Sequence, residues 1–294
     1  MTSSKNALRS LVVVLFVAAL CLGFAWLAGS NGVKACGYPV LVICAVIAFA
    51  LNWMAFIPSA IAQTEKYYDL VGAITYFSII SVACVLSAPL DMRAVVIAAM
   101  VVIWALRLGS FLFARIGKSG GVDSRFDAIK VNPMRFLVAW SLQAVWTIIT
   151  AAAALVVISA TDRAPLDVFF WIGTAIWLTA FTIEVVADRQ KSAFKADPAN
   201  KDKFISTGLW SWSQHPNYFG EIMLWTGAAV IAIPVLSGWS YLVFASPLFI
   251  TLLLTKISGI NMLDAAAKKK WGDDPQYQEY RQKTSVLVLR SPRS

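Results

Sequence analysis

The strongest constraint on this chain is a series of eight apolar blocks, each about as long as a membrane's hydrocarbon layer is thick. A helix rising about 1.5 Å per residue crosses a layer of roughly 30 Å in some twenty residues. The blocks fall at 10–28, 39–61, 70–88, 94–114, 136–158, 167–187, 219–236 and 239–257. In lipid the backbone must satisfy its own polar groups, so only helices or closed barrels span it. No period-two alternation runs through these blocks, which excludes the barrel. The expected fold class is all-α, a polytopic transmembrane helix bundle of seven or eight spans. Composition agrees, with 59% hydrophobic and 14% charged residues, against about a quarter charged in soluble domains.

The first block follows Lys5 and Arg9 and is long for a secretory leader, with no obvious Ala-x-Ala-like cleavage sequence near its end. It reads as a retained signal-anchor occupying 1–35, with 36–294 forming the main domain; its removal would leave seven spans. The formal charge of +9 raises the question of nucleic acid, but the distribution of that charge answers it. With the N-terminus inside, 21 Lys and Arg fall in inner segments and three, Lys34, Arg93 and Arg163, in outer ones. This asymmetry is the positive-inside signal. It places both termini, the loops 115–135 and 188–218, and the C-terminal tail in the cytoplasm. The outer connections at Ser87–Arg93 and Leu236–Ser240 are short enough to require antiparallel neighbours, so function belongs in the longer inner loops.

Several chemistries are excluded. Cys21, Cys36, Cys44 and Cys84 form no Cys-x-x-Cys pair, so neither a disulfide framework nor a metal site is expected. No Gly-x-Gly-x-x-Gly follows a strand, so there is no Rossmann domain. Gly117-Lys118-Ser119 resembles the end of a phosphate loop, but Leu112 stands where that loop needs glycine. A single histidine supports no Ser–His–Asp arrangement. No internal repeat supports a transporter of two related halves.

What remains is polar chemistry in apolar places. Arg107 lies within the fourth block, needing either a partner or a snorkelling path to the inner face. Glu184 and Asp188 are four apart, on one helical face near the cytoplasmic end of the sixth block. In the run from Gly208 to Trp225, Pro216 marks a helix start, and Asn217, Glu221 and Trp225 then recur every four residues. An amide, a carboxylate and an indole on one stripe suit a planar, polar-edged heterocycle. His215 either joins them or braces the turn. The tail carries Lys268–Lys270, Trp271 and a basic, aromatic stretch from Tyr277 to Lys283, which either anchors to anionic lipid or closes over an anionic ligand.

Gly208-Leu209-Trp210, followed by His215-Pro216-Asn217-Tyr218-Phe219-Gly220-Glu221, resembles the C-terminal signature of the steroid 5α-reductase family. It is also similar to sterol carbon–carbon double-bond reductases and, more distantly, to isoprenylcysteine carboxyl methyltransferases. The resemblance covers about the last 120 residues and extends weakly to the segment from Gln63. It implies an enzyme, a membrane-embedded NADPH-dependent reductase acting on the C=C bond of a lipophilic enone, such as a 3-oxo-4-ene steroid, that arrives from the bilayer. A bacterial member would sit in the inner membrane among its lipids. By the same resemblance Asn217, Glu221, Glu184 and Asp188 contact the nicotinamide cofactor, with His215, Tyr218 and Trp225 beside them. Lys195 falls near the phosphates, and Arg189, Lys191, Lys256 and Arg281 are further candidates for the anionic end. The acid that polarises the substrate carbonyl maps to Gln63-Thr64-Glu65-Lys66-Tyr67-Tyr68-Asp69, making Glu65, Tyr68 and Asp69 the catalytic candidates. The sequence departs from the family in having Thr64 between Gln63 and Glu65, Gln214 where many relatives carry Arg, and Trp104 near the family's tyrosine. Two other readings stay open: a methyltransferase using S-adenosylmethionine, sharing the His215-Pro216 turn, and a channel or transporter, suggested by Arg107 and Glu184.

Overall fold

A computed structural model describes residues 2–118, 123 and 126–291. Part of the expected 115–135 loop, including Ser119 and Arg125, and Arg293 of the tail lie outside the described residues. The helices are α1 (Thr2–Ala28), α2 (Val40–Ile61), α3 (Tyr68–Leu86), α4 (Met92–Lys118), α5 (Asp127–Lys130), α6 (Pro133–Ile158), α7 (Val168–Ala196), α8 (Pro216–Ala232), α9 (Ala245–Leu252), α10 (Ile260–Trp271) and α11 (Pro275–Lys283). Among the described residues, eight helical stretches are long and apolar enough to cross a membrane. The chain is an integral membrane protein of the all-α class.

Local chemistry sets several boundaries. Asn132 caps α6, its Oδ1 accepting from the backbone N–H of Met134 and Arg135, and Pro133 takes the first helical position, where its missing N–H costs nothing. Asp274 and Pro275 start α11 in the same way. A two-residue hairpin joins Lys34–Ala35 to Tyr38–Pro39. Its turn residues Cys36 and Gly37 both have positive φ, 53° and 81°, the conformation that matches strand twist. No strand was expected here.

The eighth span departs from the continuous 239–257 segment expected. It begins as a 3-10 helix at Gly238–Phe244, becomes α9, and widens into a π-helical turn at Leu253–Ile257. The Ser258 N–H reaches the Leu253 carbonyl at 2.9 Å, and α10 then starts after Gly259. A Cβ at Gly259 would stand 2.1 Å from the Leu254 carbonyl oxygen, so the break requires glycine.

The chain divides into two compact units, 1–170 with 231–245, and 171–230 with 246–294. In the first, α6 is the central helix: 83% of its most apolar stretch is buried, and it packs against α1, α2, α3 and α4. Several polar side chains inside this unit tie its helices together, as suits groups held away from water. Asn52 donates to Thr75 at 3.3 Å, Trp53 to Ser141 at 3.0 Å, and Gln143 to the Tyr68 carbonyl at 3.0 Å. The antiparallel pairing of α3 and α4 expected from their short connection is present.

In the second unit α7 and α8 lie antiparallel. Gly227 meets the backbone at Gly173 and Trp177, and one heptad earlier Gly220 meets Ala180 and Glu184. A Cβ at either glycine would come within 2.7–2.8 Å of a carbonyl oxygen on α7. Small residues let the backbones touch, the usual device for helix pairs in lipid.

Candidate functional site

The close approach of α8 to α7 gathers the polar residues of the second unit. Asn217, in the first turn of α8, donates from Nδ2 to Asp188 Oδ1 at 3.2 Å. One turn on, Gly220 lets the chain touch Glu184, and Glu221 follows. Glu184, Asp188 and Glu221 are 2%, 7% and 8% exposed, while Asn217 is half-buried. Trp225, another turn along, is fully buried. Three buried carboxylates and an amide thus belong to one helix pair, an expensive arrangement in an apolar setting unless a ligand or network uses it.

The segment before α8 is braced from two sides. Gln190 Oε1 accepts from the Leu209 N–H at 2.9 Å, packing within 2.5–2.7 Å of where a Cβ on Gly208 (φ 62°) would stand. Trp210 donates to the Ala187 carbonyl at 3.0 Å, with the Lys191 ammonium 4.4 Å above its ring. From the other side, Gln214 Nε2 donates to the carbonyls of Arg281 and Thr284, and the Tyr280 hydroxyl donates to the Trp210 carbonyl at 2.7 Å. Burial pushes the Tyr280 hydroxyl's pKa upward, so it remains a donor. Gln214 therefore ties the tail to the α8 entrance.

His215 lies against Tyr218, the rings stacked 5.5 Å apart, with Nε2 3.6 Å from Asp264 Oδ1. Burial pushes its pKa down to about 4, the nearby Asp264 charge offsetting only part of that, so the imidazole is neutral at pH 7. Asp264 is instead held by Arg281 in a two-pronged ion pair of 2.6 and 2.9 Å. That hydrogen-bonded carboxylate raises the Arg281 pKa above its ordinary value. The sequence carries no signal for Asp264. It stands alone on α10, 17 residues before its partner, and no helical spacing links them.

Of the basic candidates, Arg189, Lys195 and Lys256 are exposed, Lys191 sits over Trp210, and Arg281 is engaged with Asp264. Lys256 lies in the π-turn, with Asn261 donating to its carbonyl at 2.7 Å.

The three acid candidates belong to the first unit. Glu65 is 3% exposed, accepts from the Asp123 N–H at 2.6 Å and pairs with Lys130 at 3.0 Å. That contact raises the Lys130 pKa. Tyr68 donates to the Ala139 carbonyl at 2.9 Å, its ring packed on Phe126 and Trp140. Asp69 is half-buried in the first turn of α3. Glu65 and Tyr68 thus have evident structural duties. Trp104 is buried edge-on to Tyr76, whose hydroxyl meets Thr150. Arg107 is half-buried with its guanidinium 5.3 Å from the Phe111 ring. Among the described residues no cluster of three or more His, Cys, Asp or Glu is placed to hold a metal.

Residues 55–284 match the model of a family described as protein of unknown function (DUF1295). No curated protein and no solved structure matches.

Proposed function

The chain belongs to the DUF1295 family, and we propose that this member is a membrane-embedded oxidoreductase that binds NADPH and reduces the C=C bond of a lipophilic enone, a 3-oxo-4-ene steroid being the first to try. The observation that carries the reading is the Asn217–Asp188 hydrogen bond beside the Gly220–Glu184 contact. Four residues singled out by resemblance to the reductases fall on one helix pair. A methyltransferase does not by itself call for this set of carboxylates.

The donor set fits the polar edge of nicotinamide. A carboxamide NH2 is matched by carboxylate acceptors at Glu184, Asp188 or Glu221, and its carbonyl by an amide donor at Asn217. The phosphate end falls to Lys191, Arg189 and Lys195, with Arg281 available once it leaves Asp264. NADPH, when bound, supplies the hydride. The protein's residues would orient the ring, neutralise the phosphates and keep water from the buried carboxylates. Neutral His215 and Tyr218 form a flat wall at the α8 entrance. Polarising the enone carbonyl falls, by resemblance, to Glu65, Tyr68 or Asp69, and Tyr68 would have to release Ala139 to do it. The same reading puts both termini and the cofactor site in the cytoplasm, as the distribution of Lys and Arg suggests.

The test is titration of detergent-solubilised protein with NADPH, NADH and S-adenosylmethionine in parallel, followed by turnover with a 3-oxo-4-ene steroid. NADPH binding that Glu221→Gln weakens by about tenfold or more is expected. Tight S-adenosylmethionine binding without NADPH binding would replace the reductase by the methyltransferase reading.

A further inference from the structure

The first unit carries a second candidate site, unrelated to the carboxylate cluster. Between α1, α5 and the start of α6 lies a cleft of about 380 Å³. Arg9 and Val13, four apart, contribute one face of α1, and Arg135, Val138, Ala139 and Leu142, at positions i, i+3, i+4 and i+7, one face of α6. Ile129 of α5 closes part of the rim. The walls are mostly aliphatic, and the two arginines stand at the same end, in the opening turns of spans Ala7–Ala28 and Pro133–Ile158. Both arginines are exposed, and among the described residues neither guanidinium has an acidic partner. With Ala7–Ala28 and Pro133–Ile158 read as spans, the cleft would run from headgroup level into the hydrocarbon. A void with aliphatic walls there is filled by lipid chain rather than water.

We propose that this cleft binds one anionic glycerophospholipid, its phosphodiester between Arg9 and Arg135 and one acyl chain along Val13, Val138 and Leu142. Paired guanidiniums match the forked acceptors of a phosphate. Basic pockets between spans are how membrane proteins select anionic headgroups. A zwitterionic headgroup offers the same phosphate but brings an ammonium towards two like charges. The lipid would also seal α1 against α6 at a point where protein alone leaves a gap.

The experiment is native mass spectrometry of the full chain in detergent, supplied with dioleoyl phosphatidylglycerol or dioleoyl phosphatidylcholine. One phosphatidylglycerol should be retained in preference to phosphatidylcholine, by on the order of tenfold for two arginines. The preference should vanish in the Arg9→Gln, Arg135→Gln double variant, whose exposed side chains carry no packing. Leu142→Trp, filling the cleft with both charges kept, should also lose the bound lipid, and it decides the matter if the double variant fails to fold. Millimolar inorganic phosphate should not compete. Equal retention of the two lipids, undiminished phosphatidylglycerol in either folded variant, or displacement by free phosphate would each overturn the proposal.

Discussion

A buried neutral histidine makes folding depend on pH. His215 has a folded-state pKa near 4, against 6.5 for an ordinary imidazole, so the unfolded chain binds a proton more readily than the folded one. Its contribution is full above pH 6.5 and is lost as pH falls towards 4, at up to about 1.4 kcal/mol per pH unit. Thermal unfolding in detergent should therefore show a melting temperature that drops below pH 6.5, and His215→Gln should flatten the drop. An unchanged slope in that variant would place the titration elsewhere. Asp264→Asn makes a second residue-scale case. It leaves the half-buried Arg281 without its two-pronged acceptor, at a cost of about 1 kcal/mol given the partial exposure of the pair. The variant should melt slightly lower than wild type while freeing Arg281 for an anion. If Arg281 serves the phosphate end, NADPH affinity should rise as stability falls. At this scale the sequence discloses groups that share one helix. Glu184 with Asp188, and Asn217 with Glu221, were readable because a four-residue step places both on one face. Asp264 and Gln214 were not, because their partners, the Arg281 guanidinium and the backbone of the α11 exit, come from different elements and follow no period.

Apolar block length was enough to locate helices, because the bilayer sets it; six of the eight expected spans are continuous helical stretches within about three residues of their expected ends, and α7 is continuous too but runs on from 187 to Ala196. The exception, the eighth, is as apolar as the others, but a π-turn and a glycine break shape it, and hydropathy does not register backbone geometry. The α7–α8 pair was equally hidden. Gly220 and Gly227 are unexceptional in an apolar run until the opposing backbone is in view. Gly220→Ala and Gly227→Ala should each destabilise by roughly 1–3 kcal/mol, since an added methyl meets backbone rather than a yielding side chain. Their functional effects should differ. Gly220 adjoins Glu184, so its replacement should weaken NADPH binding, whereas Gly227, two turns further along, should leave affinity nearly unchanged in the protein that folds. Equal losses of affinity in both would mean that the helix pair acts as a whole and the polar cluster is not the local site.

At a larger scale than the single element, the connections of the first unit sort as an up-and-down bundle requires. In the first unit, the links after α1, α3 and α6 and the one entering the eighth span touch one another. Asn31 donates to Ser237, the Val33 N–H to the Ser159 carbonyl, Arg163 to the Ser87 carbonyl and Arg93 to Asp167. The links after α2 and α4 meet at Glu65, which holds both the Asp123 N–H and Lys130. Within the first unit, packing alone thus separates the loops into the two groups that the count of basic residues assigns them to, although packing does not say which group faces the cytoplasm. The chain carries its own reporter for that question. Cys21 and Cys44 are buried, Cys84 is intermediate, and Cys36 is exposed at the tip of the hairpin, among the loops poor in Lys and Arg. A membrane-impermeant maleimide should label Cys36 in cells or right-side-out vesicles, and Cys36→Ser should abolish most of the signal. A tag after Ser294 should be cleaved only from the opposite face. Labelling of Cys36 confined to inverted vesicles would reverse the orientation that the distribution of Lys and Arg suggests. Labelling of Cys36 and cleavage of the tag from the same face would mean an odd number of crossings, leaving one of the eight apolar helices outside the bilayer.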